Sequence, residues 1–199
     1  NIHIKYLIQK TFGVKEIQDI FLTKQGLIEK TAKPNKEQLE RNLNAINTFK
    51  QNYPELNVGF VTAPNAVSIK KEYLPKYAVT LNQDKQMDNI YSKLDDSIVK
   101  IDLRNTLKKH KDEYLYYKTD HHWTSLASYY AYQYIAKAFN LETTKQSDYT
   151  IYPVTTNFEG TLANKTGSVN IKDEIDIYVP KDKCDYVITD ESTNKKSRT

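Results

Sequence analysis

From Tyr117 to Thr124 the chain reads Tyr-Lys-Thr-Asp-His-His-Trp-Thr, which gathers an acid, two of the four histidines and the single tryptophan directly before a helix-like run. Asp120 and His122 are two residues apart. In a strand that spacing puts both side chains on one face, and in a tight turn it lets the carboxylate reach the imidazole. A carboxylate on one ring nitrogen fixes the tautomer and leaves the other nitrogen able to take a proton from a hydroxyl nucleophile. The pair therefore supplies two of the three members of a Ser-His-Asp triad. In an extended motif His121 faces away from this pair, where it binds substrate or hydrogen-bonds a backbone carbonyl. Trp123 reads as a packing residue beneath the motif, with a substrate-stacking role as the alternative. Asp120, His121 and His122 are all residue types that ligate zinc or iron. Adjacent histidines are expected to point apart, however, and no His-x-x-x-His or distant acid cluster completes the set, so neither a metal nor another cofactor is expected. His3 and His110 lie in polar, lysine-rich surroundings and read as surface residues.

The motif Asp120-x-His122-Trp123-Thr124, followed by a small-residue helix with Ala127 and Ala131, resembles the SGNH-hydrolase-like O-acetyltransferases of the alginate (AlgX/AlgJ) type. The Asp-His-His-Trp spelling is most similar to the DHHW proteins of Gram-positive bacteria within that group. Supporting segments are Ile20–Glu29 upstream and Phe158-Glu159-Gly160-Thr161-Leu162 downstream. The resemblance implies an α/β three-layer sandwich around a central parallel sheet. It also implies Asp120 and His122 as triad members, and an exported enzyme that adds acyl groups, acetyl above all, to a cell-surface or secreted polysaccharide. An acyl donor or a membrane acyl-carrier protein would be its partner, and an N-terminal membrane anchor or export signal would precede Asn1. A carbohydrate esterase of the same fold, or a polysaccharide-binding module without activity, are the alternatives.

The third triad member is missing from the expected place. In the resembling family the nucleophilic serine follows the Asp-x-His motif on a later strand-to-helix turn. Ser125, Ser128, Ser147, Ser168, Ser192 and Ser197 follow His122 here, and none has a buried strand before it and a helix pattern after it. Gly167-Ser168 is the nearest imitation, but Asn164, Lys165, Thr166 and Asn170 place it in a polar loop. The nucleophile is expected outside these 199 residues. Two further candidates contact substrate: Asn65, whose amide at the carboxyl end of a strand suits an oxyanion or acyl carbonyl, and Tyr117 beside the motif.

Composition narrows the function class. The net charge of +4 comes from 29 basic and 25 acidic residues interleaved along the chain, a mixed surface rather than a nucleic-acid footprint. The 16 tyrosines bring rings to bury or to stack on a pyranose face, each with a hydroxyl to satisfy. Cys184 is the only cysteine, which excludes an internal disulfide and a cysteine metal site. No apolar run reaches transmembrane length.

The elements needed to position the motif follow from periodicity and punctuation. Ile20–Leu22 and Leu27–Glu29 around a turn ending in Gly26 read as a hairpin. Asn35 opens a helix through Leu39, Leu43, Ile46 and Phe49 to Asn52. Val58–Thr62 and Ser97–Leu103 read as buried parallel strands, with a helix at Asp84–Leu94 between them. Thr124 caps a helix over Ser125–Phe139, its apolar face formed by Ala127, Tyr130, Ala131, Tyr134, Ile135, Ala138 and Phe139. Tyr149–Val154, Glu174–Val179 and Asp185–Thr189 read as strands of a β-rich insertion or subdomain. The expected division is an α/β core over 1–140, that β-rich unit over 141–189, and a mobile polar tail over 190–199.

Overall fold

The computed structural model describes residues 1–182 and 187–198. Helix α1 (Ile2–Thr11) leads into an antiparallel meander of β1 (Glu16–Ile17), β2 (Ile20–Thr23) and β3 (Gly26–Glu29). Helix α2 (Lys36–Asn52), strand β4 (Gly59–Thr62), the short α3 (Ala66–Ile69), α4 (Gln83–Ser92) and β5 (Val99–Asp102) form the next unit. The short α5 (Arg104–Lys109) and a loop carrying the Asp-His-His-Trp motif precede α6 (Ser125–Ala138). Then come β6 (Tyr149–Phe158), α7 (Thr161–Thr166), β7 (Asp173–Pro180), β8 (Val187–Asp190) and β9 (Lys195–Arg198).

Strands β4 and β5 pair in parallel, Gly59 opposite Val99 through Thr62 opposite Asp102. Their alternating side chains divide two cores. Ile101 packs with Leu103, Leu107, Leu115, Ala127 and Ala131 beneath α5 and α6. On the opposite face Val58 and Phe60 meet Leu43 of α2 together with Met87, Tyr91 and Leu94 from α4 and the turn after it. Helices thus lie on both faces of the pair, but β4, expected as a buried strand, is only partly covered: none of Gly59–Thr62 is buried and Val61 is exposed. This is the layered α/β arrangement around a parallel sheet expected from the sequence.

The helices obey their caps. Asn35 accepts a hydrogen bond from Gln38 N, and Thr124 from Ala127 N, each satisfying an N–H that the first helical turn leaves without a partner. Of the apolar face assigned to α6, all but Tyr134 packs toward the core; Tyr134 is exposed. Helices α1, α3, α5 and α7 have no counterpart in the periodicity, because each is too short or too weakly patterned to register. Four apolar residues of α1 remain exposed.

Two corrections concern the C-terminal part. The residues from Asp190 onward, expected as a mobile tail, turn back and pair as β9 against β8, Asp190 opposite Lys195. The Asp190 carboxylate starts this turn by accepting hydrogen bonds from Ser192 N and Oγ, the local bond that makes Asp a turn former. The β-rich segment pairs as β6 with β7 as expected, yet α7 lies between them and docks on the opening meander. Ile20 and Leu27 bury against Leu162 and Ala163. Of the strand expected at Asp185–Thr189, residues 185–186 lie outside the described residues.

Candidate active site

The motif loop is pinched at its base. Tyr116 and Trp123 form an isolated antiparallel bridge, Tyr117 N donates to His122 O at 3.2 Å, and Thr124 N donates to Leu115 O at 2.9 Å. Residues 118–121 are thereby bent rather than extended. The meander closes over the loop, with Leu27 N donating to Lys118 O at 2.8 Å. Gly26 allows this approach: a Cβ there would lie 2.6 Å from Lys118 Cα, and its φ of +116° is one that L side chains rarely adopt.

Inside the bend Asp120 is buried, its side chain 5% exposed, and Oδ1 lies 2.6 Å from His122 Nδ1. The same oxygen accepts from His122 N at 3.0 Å. Oδ2 accepts from Thr161 N at 2.8 Å and from Thr161 Oγ1 at 2.9 Å. Burial pushes the Asp120 carboxyl up, but the bonds donated by Thr161 and His122 outweigh it and hold the group well below the usual carboxylate range. An ionised Asp120 only accepts, so the proton between it and His122 sits on Nδ1, and in the neutral ring Nε2 carries the lone pair. The His122 side chain is 69% exposed, which leaves Nε2 on an open face. The chemistry open to this pair is proton transfer from and to a hydroxyl.

His121 contradicts the extended-motif expectation. Its ring lies beside that of His122, centroids 4.0 Å apart and planes tilted by 37°, and its Nδ1 is 3.0 Å from Thr161 Oγ1. The bend turns both rings to the Asp120 side, so the two histidines do not point apart. The ligand atoms of Asp120, His121 and His122 accordingly fall within 4.8 Å of one another. Both oxygens of Asp120 are already engaged by four donated hydrogen bonds, and a cation would have to displace the bond that fixes the His122 tautomer. The cluster fits hydrogen bonding better than metal ligation.

The other candidates separate. Trp123 packs on the core beneath α5 and α6. Tyr117 is half-buried, edge-on to Phe158 at 5.6 Å and to Tyr114 at 6.1 Å. Burial first, then the charges of Asp173, Asp176 and Asp120, push its hydroxyl pKa up. Asn65 stands at the carboxyl end of β4 as expected, exposed, with no capping bond from its side chain. Its link to the motif is indirect, through Tyr116, whose hydroxyl donates to Pro64 O at 2.6 Å. Ser168 is buried behind α7 with a hydroxyl that has no hydrogen-bond partner among the described residues; it makes no hydrogen bond to His122. His3 Nδ1 donates to Gly167 O, 3.0 Å away, and His110 stacks on Tyr130 at 3.9 Å.

Three residues of the site escape sequence reading. Thr161 supplies half of the donors to Asp120. Gly160 passes so close that an added Cβ would lie 2.3 Å from Asp120 Cβ. Asp173, at the start of β7, accepts from Lys118 N and Thr119 N, each at 2.7 Å. All three lie some 40 to 54 residues from their partners, and only the Gly160-Thr161 segment carried a signal, through its resemblance to the family.

The sequence profile of the SGNH hydrolase-like domain of acetyltransferase AlgX matches residues 20–198. The chain belongs to this family. Solved structures with the same AlgX-type fold include Bacillus cereus PatB1 with a sulfonyl adduct (TM-score 0.70, 19% identity, 90% of this chain and 63% of that one). A DHHW family protein from Eubacterium siraeum superposes with a TM-score of 0.69 at 22% identity over 81% of this chain and 54% of that one. The O-acetyltransferase domain of Pseudomonas putida AlgJ gives 0.61 at 19% identity, over 82% and 66%. No curated protein sequence matches the chain. The AlgX-type chain described here spans less than two thirds of the length of PatB1.

Proposed function

We propose that the protein is an O-acetyltransferase of a cell-envelope or secreted polysaccharide, and that Asp120 and His122 are the acid and base of its Ser-His-Asp triad. The observation that carries this reading is the 2.6 Å contact between Asp120 Oδ1 and His122 Nδ1, with Nε2 left open. Family membership supports the acetyl-transfer chemistry.

The reaction runs in two halves. His122 Nε2 takes the proton of a serine hydroxyl as that oxygen attacks the donor's acyl carbonyl, and returns it to the departing donor group. A sugar hydroxyl then attacks the acyl-serine, giving its proton to Nε2, which passes it to the serine oxygen as the ester bond to the enzyme breaks. Asp120 orients the imidazole and stabilises it while it is charged. The serine is supplied from outside this 199-residue sequence, in keeping with the absence of any serine hydrogen-bonded to His122 among the described residues. The donor is an acyl carrier at the membrane. Among the described residues no helix is long and apolar enough to cross a membrane.

A shallow depression lined by Tyr129, Tyr132, Tyr149, Tyr178, Ser125 and Asp176 begins at the first turn of α6, next to the motif. Three of its four tyrosine hydroxyls are tied down: Tyr129 donates to Thr144 O, Tyr132 accepts from Thr144 N, and Tyr178 accepts from Gln146 Nε2. The rings pack on one another, Tyr129 stacked on Tyr178 with centroids 5.9 Å apart, yet each keeps part of its surface open, and among the described residues no lysine or arginine lines the depression, which suits a neutral polymer better than a polyuronate. The test is acetyl transfer from a model ester to neutral and acidic oligosaccharides by the full-length protein, beside its His122→Ala variant. Transfer that survives the substitution overturns the assignment. Release of free acetate with no acetylated sugar makes the protein an esterase instead.

A further inference from the structure

We infer that Asp173 is a positioning residue for the Asp120–His122 pair: a buried carboxylate, from a strand 50 residues further along the chain, that sets the conformation of the loop delivering Asp120. The inference rests on the triad reading above.

Asp173 is 2% exposed, and an anion so placed is costly to bury unless donors surround it. They do. Lys118 N donates to Oδ1 and Thr119 N to Oδ2, each at 2.7 Å. The hydroxyls of Thr119 and Tyr114 add two more bonds. Two successive backbone N–H groups held by one carboxylate fix the peptide planes of 118 and 119, and the next residue is Asp120. Thr119, itself fully buried, carries the restraint onward. Its hydroxyl, while donating to Asp173, accepts from Gly160 N at 2.9 Å, and its carbonyl accepts from Leu162 N at 3.0 Å and Ala163 N at 3.1 Å. These bonds anchor the first turn of α7, whose Thr161 completes the bonds to Asp120 Oδ2. A route of hydrogen bonds therefore runs from Asp173 through Thr119 and the first turn of α7 to Oδ2 of Asp120. None of Asp173's partners is a cation. A lysine or arginine would draw the carboxylate toward one point, whereas four neutral donors hold it across a span of backbone.

Asp173→Asn keeps the volume but turns an NH2 toward one backbone donor. Misplacement of a catalytic group by about 1 Å can cost on the order of a hundredfold in rate, and the same rule sets the expected size here. In the full-length protein, Asp173→Asn lowers kcat for acetyl transfer about 10- to 100-fold with KM unchanged. Thr119→Val, which removes the hydroxyl linking Asp173 to Gly160 but leaves Asp173 its donors from Lys118 N, Thr119 N and Tyr114, lowers kcat similarly, and the double variant falls less than the product of the two, because both break one path. A second readout needs no activity: the ring nitrogen NMR shifts of His122 report a single Nδ1–H tautomer in the parent and a tautomer mixture in both variants. A purely structural Asp173 would lower the melting temperature while the folded fraction kept wild-type kcat and the single tautomer, and that result overturns the inference. If Asp173→Asn does not fold, Thr119→Val decides by the same measurements. If the parent protein transfers no acetyl group, the proposed function fails, and the tautomer measurement still decides the role of Asp173.

Discussion

At the scale of single residues, the site is a carboxylate saturated with donors beside an exposed imidazole, and the two members have different consequences when removed. His122 is mostly solvent-exposed, so His122→Ala takes little packing with it. Its melting temperature stays within a few degrees of the parent, while acetyl transfer falls by about 10³-fold or more, the loss typical of a triad histidine. Thermal melts alongside acetyl content of the polymer measure both. Asp120→Asn removes an anion whose folded-state pKa is depressed, first against burial and then by the donors from Thr161 and His122. A depressed pKa contributes stability that is present above the unfolded value near 3.9 and is lost as pH falls through the folded value. The stability gap between parent and Asp120→Asn should thus be constant from pH 5 to 8 and close only in strong acid. Urea denaturation across pH tests this, and a gap that narrows near neutrality would contradict the hydrogen-bond account.

At the scale of elements, the pair is held where three segments converge: the pinched motif loop, the first turn of α7, and the head of β7. Gly160 is the tightest point of that convergence. Gly160→Ala puts a methyl 2.7 Å from Asp120 Oδ2, so the loop or α7 must retreat. Overpacking of this kind costs about 1–3 kcal/mol, and the displacement reduces activity beyond the loss of stability, which equilibrium unfolding and kcat on the folded fraction separate. Thr124 joins the loop to α6, since its hydroxyl donates to Tyr114 O at 2.6 Å as well as capping the helix. Thr124→Ala costs about 1 kcal/mol by denaturant melts, and Thr124→Ser restores most of it.

At the scale of the whole molecule, the two-stranded parallel core derives its stability from helices on both faces rather than from the sheet. Ile101 lies at the centre of the larger cluster and is 2% exposed, so Ile101→Ala costs about 2–5 kcal/mol, checked by a fall in the urea midpoint at unchanged slope. Arg104 closes the far end of β5. Its guanidinium bonds Asp102, Asp88 and the Asp84 carbonyl, tying the strand to α4. The ribbon of β6 and β7 is less covered: Ile151, Tyr152, Val154, Ile177 and Val179 are exposed, and two strands alone are marginal in water. What fixes this ribbon is its head, where Asp173 and Phe158 meet the motif loop.

The sequence by itself determined the features that depend on near neighbours. Asp120 and His122 could be paired from a two-residue spacing. Thr124 announced α6, Asn35 announced α2, and the apolar runs at 58–62 and 97–103 marked the strands that pair in parallel, though β4 is less buried than its apolar run suggested, with Val61 exposed, because caps and periodicities are local consequences of backbone geometry while burial depends on what packs on the strand. Tertiary structure decided everything that needed a partner far along the chain. Whether His121 faces toward or away from Asp120 turned on a bend closed by the Tyr116–Trp123 bridge and by β3. Asp173, Thr161 and Gly160 look in the sequence like ordinary polar and turn residues, and they become site residues only when β7 and α7 fold back onto the loop. Burial is the physical reason. A carboxylate in water needs no particular donor, but one sealed inside a protein must be met by specific N–H and O–H groups, and these come from whichever segments the fold brings together.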